Sequence, residues 1–157
     1  MGARRRARER ALMMLYAMDM AGGWPDTVIE RFYASFGDGE PLDPPPGYVT
    51  SPRPADRFAI ESRNDEVRRY SERLVRGVAQ EQSALDAAIQ SISNRWRLPR
   101  MAFIDRNLLR LGVYELTMLK DEVPRKVAIN EAIELAKRFG SSESKAFVNG
   151  ILDRVGR

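Results

Sequence analysis

The chain has 157 residues, 43 % of them hydrophobic and 31 % charged, and it contains neither cysteine nor histidine. That composition suits one globular unit able to bury a core without covalent staples. The missing residue types exclude disulfides, thiolate nucleophiles, Cys/His zinc sites and imidazole-based general bases, and with them most enzyme chemistry.

The chain opens on "RRRARERALMMLY", with five arginines and one glutamate between positions 4 and 10, a local surplus equal to the formal net charge of +4. Such concentrated basicity points to phosphate backbones or an anionic surface. The segment does not read as a secretory signal, because Asp19 interrupts its apolar run and no small-residue cleavage site follows. Nor does "MGARRR" read as a myristoylation signal, since Arg6 stands where Ser or Thr is wanted. No stretch approaches the roughly 18 uncharged apolar residues of a membrane span.

On a helical projection Ala7, Ala11, Met14, Leu15 and Met18 share one stripe, Arg5, Glu9 and Tyr16 lie on another side, and Leu12 falls near the border. Gly22-Gly23 ends this predicted helix, and a second follows over 26–36. Residues 37–57 hold six of the nine prolines and read as a surface insertion. Beyond it Val67, Tyr70, Leu74 and Val78 recur at helical spacing. Ser83 reads as an N-cap, with Asp86 three residues on, for a helix over 84–97 whose inner stripe is Leu85, Ala88, Ile89, Ile92 and Trp96.

Pro99 suits a new helix start. The segment "MAFIDRNLLRLGVYELTML" is apolar on most sides and so belongs at the centre, where Gly112 calls for the close approach of a neighbour. In "VAINEAIELAKRFG" the inward set is Ala128, Ile129, Ala132, Ile133, Ala136 and Phe139, and Gly140 is the stop. A last helix from about residue 142 presents Val148, Ile151, Leu152 and Val155. With no strand alternation and no repeat, the fold class is all-α, a bundle of roughly seven helices in a single domain.

Three stretches, "RRRARERALMMLY", "LRLGVYEL" and "VAINEAIELAKRFG" leading to "FVNGILDR", together resemble the NusB family of bacterial transcription antitermination proteins. The match runs in order from residue 4 to 154, with a longer proline-rich insertion than the family carries. The resemblance implies a cytoplasmic, non-catalytic, cofactor-free adaptor. It would bind single-stranded boxA RNA and the ribosomal protein NusE within an RNA polymerase antitermination complex, chiefly on rRNA operons. Some relatives form homodimers. A related domain heads certain rRNA methyltransferases, but no Gly-rich nucleotide motif or catalytic cysteine follows here.

Each candidate residue has a plainer reading beside the functional one. Arg4, Arg5, Arg6 and Arg8 are either a solvated terminus or a row of guanidinium forks gripping phosphate. Three to five neutralised phosphates are expected. Tyr16 is a ring at the core rim or a base-stacking platform, and the resemblance implies stacking. Phe147 by spacing alone reads as buried, whereas the resemblance implies RNA contact. Asn149 reads a base edge or closes a helix, and Glu143 and Lys145 line the same surface.

Arg106, Arg110 and Glu115 are candidate NusE contacts or internal salt bridges. The row Asn130, Glu134, Arg138 reads as a solvated face with a Glu-to-Arg pair at i, i+4, and Asp121 and Glu122 as solvated turn residues. The competing classes are a protein-only scaffold, a general polyanion binder and a membrane-surface helix.

Overall fold

Seven α-helices and one 3-10 turn make up the described residues, 2–36 and 54–156, of the computed structural model; no strand occurs among them. The helices are α1 (Ala3–Ala21), α2 (Pro25–Phe36), α3 (Pro54–Gln80), α4 (Gln82–Ile92), α5 (Phe103–Met118), α6 (Arg125–Phe139) and α7 (Ser144–Leu152), with the 3-10 turn at Leu98–Arg100. The all-α bundle of about seven helices expected from the sequence is the observed fold. The predicted insertion at 37–57 lies outside the described residues up to 53, and α3 starts earlier than that reading allows. Pro54 heads the helix, its fixed φ and missing N–H being suited to a first turn.

Helix α5 is the central element, in contact with α1, α3, α4, α6 and α7. Residues 107 to 115 are buried without a break, as a helix apolar on most sides requires. The predicted close approach at Gly112 is real. A Cβ there would lie 2.8 Å from a Leu152 methyl of α7, and one on Gly77 of α3 would lie 2.2 Å from the Tyr114 ring. Around α5 pack Leu12 and Met14 of α1, Leu74 and Val78 of α3, Leu85 and Ile89 of α4, and Val148 and Leu152 of α7.

Two predicted boundaries move for local reasons. Helix α4 starts at Gln82 behind Glu81, with no side-chain cap from Ser83, and Asp86 turns to Arg110 instead. It ends at Ile92, five residues early. There the Gln90 amide donates to the carbonyls of Ser93 and Trp96 at 3.2 Å each, accepts from the Leu98 N–H at 2.8 Å, and the Ser93 hydroxyl donates to the Trp96 carbonyl at 2.8 Å. These bonds offer the backbone an alternative to another helical turn. Trp96, expected in the inner stripe, is therefore 53 % exposed, and Phe139, expected inward on α6, is 36 % exposed.

Two polar networks run through the helix packing. In the first, Arg8 of α1 grips Glu115 of α5 through Nε to Oε1 and Nη2 to Oε2, each 2.8 Å, and the Tyr70 hydroxyl of α3 donates to Oε2 at 2.7 Å. The Arg8 and Glu115 side chains are 4 % and 2 % exposed. Burial opposes the charge on Arg8, but the hydrogen bond and charge of Glu115 outweigh it and hold the guanidinium above its usual pKa. Burial, reinforced by Glu115, pushes the Tyr70 phenol well up, so it stays a donor.

In the second network Asp19 Oδ2, near the end of α1, accepts from Arg106 Nε at 2.8 Å and Asn107 Nδ2 at 2.9 Å. Arg110 spans to Asp86 of α4 at 2.7 and 3.0 Å.

Two outcomes follow for stability. Glu115→Ala leaves a buried, uncompensated guanidinium and is expected to cost about 3–5 kcal/mol in urea unfolding, whereas the paired change Arg8→Met with Glu115→Leu should cost far less. Gly77→Ala is expected to lower stability by about 1–3 kcal/mol in the same measurement, because the buried Tyr114 ring cannot move aside. Gly112→Ala, facing a rotatable Leu methyl, should cost less than Gly77→Ala.

Candidate nucleic-acid interface

The arginines at the start of α1 divide into buried and exposed members. Arg8 is followed at i+3, i+4 and i+7 by Ala11, Leu12 and Leu15, all buried, and so belongs to the core stripe. Its assignment to the phosphate-binding row is corrected: its guanidinium is bonded to Glu115 beneath Tyr70 and faces no solvent. Arg10 is also buried, with its guanidinium 5.9 Å from the centre of the Tyr33 ring.

Arg4 and Arg5 are exposed. The Arg4 guanidinium lies 4.6 Å from the centre of the Tyr70 ring. Arg5 holds Glu131 of α6 through two bonds of 2.8 and 2.9 Å, which raise the pKa of the arginine and lower that of the carboxyl. Arg6 is half-buried, and its Nε has no hydrogen-bond partner among the described residues.

One flank of α1 runs beside the outer row of α6. Arg5 meets Glu131, and four residues on Glu9 meets Arg138. The expected pair of Glu134 with Arg138 on α6 is therefore not formed; Glu134 pairs with Lys137 at 3.1 Å. Glu122, expected to be merely solvated, is held by Arg73 of α3 at 2.6 Å, which draws its carboxyl below the usual range.

Lys145, at the start of α7, is exposed and lines the same cleft as Arg5 and Lys137. This cleft joins the first turn of α1 to α6 and α7 and collects three cations against Glu131 and Glu134.

At the other end of α1, Tyr16 is half-buried and meets Phe103 of α5 edge-on, with ring centres 5.9 Å apart. Phe103 is 39 % exposed. The preceding residue, Ala102, lines a depression shared by Trp96, Arg100, Asp105, Glu143 and Phe147. Tyr16 and Phe147 thus reach the same region, the start of α5, from opposite sides.

Phe147 is half-buried against the core edge and keeps part of its ring toward this depression, while Glu143 and Asn149 are exposed. From Arg4 to Tyr16 the helix rises about 18 Å.

The candidate partner contacts resolve as internal bridges. Glu115 is 2 % and Arg110 6 % exposed, and both are bonded within the two networks, so neither offers charge to a partner. Arg106 donates to Asp19 and to the Leu98 carbonyl, with 11 % of its side chain exposed.

Sequence reasoning passed over Trp96, Arg100, Phe103 and Asp105, which the fold gathers beside Phe147. One signal was available: Pro99 disfavours α-helical backbone at the residue before it and so argues for a helix end ahead of it.

The model of the NusB family matches residues 5–157. The chain is 48 % identical over 152 residues to transcription antitermination protein NusB of Anaeromyxobacter dehalogenans, covering 97 % of this chain and 89 % of that protein. It is 44 % identical over 155 residues to the protein of the same name from Sorangium cellulosum, covering 99 % and 92 %.

Among solved structures T. maritima NusB superposes with a TM-score of 0.73 at 32 % identity, covering 96 % of this chain and 88 % of that one. The antitermination factors NusB and NusE in complex with dsRNA match at a TM-score of 0.71 and 22 % identity over 96 % and 93 % of the two chains, a likeness of fold. Carrying the family's match along almost its whole length, on the same helical framework, the chain belongs to the NusB family.

Proposed function

We propose that this protein is a non-catalytic transcription antitermination adaptor of the bacterial cytoplasm, binding single-stranded boxA-type RNA together with the ribosomal protein NusE as part of an RNA polymerase complex. The observation that supports the RNA-binding part is the placing of exposed Arg5 and Lys145 on one cleft, with Tyr16 and Phe147 both near the start of α5. Support for the identity of the RNA and of the protein partner comes from the family and from the solved NusB–NusE complex.

In this reading the guanidinium groups hold phosphates and position the strand, and the rings receive splayed bases that give sequence choice. Arg6, half-buried in the same turn, offers the N–H groups of its guanidinium head to a phosphate oxygen. Asn149, Lys145 and Glu143 border the strand where it passes α7. Arg8 is left out, so two to four phosphates are neutralised rather than three to five.

The test is a titration of fluorescent boxA-type RNA, scrambled RNA and anionic vesicles against the protein, with and without NusE, over a range of salt. The log of affinity is expected to fall against log salt with a slope of about −1.4 to −2.8. Arg4→Ala with Arg6→Ala should reduce that slope by about one or more, and Tyr16→Ala should weaken the boxA-type RNA about tenfold while leaving the slope unchanged. A salt-independent affinity, equal affinity for scrambled RNA, or preference for vesicles would overturn the reading.

Because Arg5 is held by Glu131, RNA must displace that carboxylate to use it. Glu131→Gln is therefore expected to raise RNA affinity by up to about fivefold at low salt, measured in the same titration.

A further inference from the structure

We infer that Tyr70 is a positioning residue for the RNA strand: its ring, fixed in the core, holds the Arg4 guanidinium ready for a phosphate and itself touches no RNA. The inference rests on the RNA-binding reading and deepens it. Arg4 leaves the first turn of α1 toward α3, where its guanidinium carbon lies 4.6 Å from the centre of the Tyr70 ring. Four residues on, the Arg8 guanidinium lies 5.6 Å from the same centre. One ring thus serves an exposed cation and a buried one.

The ring cannot yield its place. Tyr70 is 5 % exposed, and its hydroxyl donates to Glu115 Oε2 at 2.7 Å. Donation to a carboxylate also enriches the ring in electrons, and a cation is drawn more strongly to the face of an electron-rich ring. An arginine side chain at the start of a helix otherwise samples many rotamers, whose loss opposes binding. Over a fixed ring most of that loss has already been met in folding.

What Tyr70 does for Arg4 differs from what Glu131 does for Arg5. Glu131 occupies Arg5 donors in two hydrogen bonds and offsets the charge, so RNA has to displace it. A neutral ring holds a guanidinium without cancelling its charge. Arg4 forms no ion pair among the described residues, and Glu122, whose carboxylate feels its charge, is gripped instead by Arg73 at 2.6 and 2.7 Å. Arg4 is therefore held in place with its charge and its donors still available, which is what a phosphate contact requires.

A double-mutant cycle tests this, with fluorescent boxA-type RNA titrated at low salt against unmodified protein, Arg4→Ala, Tyr70→Leu and the two changes together. Tyr70→Leu is expected to weaken RNA binding about fivefold where Arg4 is present and by less than about 1.5-fold in the Arg4→Ala background. Tyr70→Phe, which keeps the ring, should restore most of the loss. Equal losses in the two backgrounds, or no restoration by Tyr70→Phe, overturn the positioning role and leave RNA binding standing. Failure of unmodified protein to bind the RNA overturns both readings. A second measurement needs no change at Tyr70. In the proton NMR spectrum of the RNA-free protein, the Arg4 Nε–H resonance, identified by its loss in Arg4→Ala, is expected upfield of the ordinary arginine range because the ring current reaches it. A resonance within that range overturns the inference even if Tyr70→Leu fails to fold.

Discussion

Everything on the surface of this molecule depends on one pair of charges beneath it. Arg8 and Glu115, with the Tyr70 hydroxyl as third member, tie α1, α5 and α3 together in a space that water does not reach. The desolvation of two such ions is offset only if the bidentate geometry holds and the remaining lone pair is bonded, and Tyr70 meets the second condition. Any slide or rotation of α1 that separates the pair leaves both charges stranded. The interaction therefore sets the register of the helix that carries the exposed arginines.

The second network does the same at the other end of α1. Asp19 receives Arg106 and Asn107 of α5, and Arg110 carries the chain of charges on to Asp86 of α4. From Arg8 to Asp19 the helix rises about 16 Å. Between two such pins α1 cannot bend or turn independently of α5, and the distance from Arg4 to Tyr16 becomes a property of the fold. Under the proposed function, a flexible strand lying along it would meet cations and rings at a preset separation, leaving less ordering for the moment of binding.

Much of the fold could be read in the sequence, because apolar periodicity marks each helix wherever a continuous stripe is buried. The stripes of α1, α5 and α7, the stop at Gly140 and the tight contact at Gly112 all follow from residue spacing and size. The misread parts share a cause, namely competition between local bonds and helical continuation. Trp96 lies at helical spacing from Ile89 and Ile92, yet Gln90 and Ser93 capture the carbonyls that another turn would need. Ion pairs between helices were equally hidden. Arg138 lies four residues after Glu134, a spacing that suggests a partner on its own helix, but Glu9 is brought close by the packing of α1 against α6.

The candidate site shows the same limit from another side. Five arginines in seven residues have one composition and several fates, separated by angle around the helix and by position along it. Arg8 falls among Ala11, Leu12 and Leu15, and Arg10 lies four residues before Met14 and three after Ala7, so both turn inward with the core. Arg5 falls at the edge of that arc, and Arg4, although Ala7, Arg8 and Ala11 follow it at helical spacing, stands in the first turn of α1; both stay exposed. A basic cluster on an amphipathic helix thus divides: the members set deep in the apolar stripe meet buried partners from other helices, and those of the first turn stay exposed. The inward arginines meet a carboxylate or an aromatic face, and by anchoring α1 they fix where the outward ones stand, which the proposed phosphate contacts require.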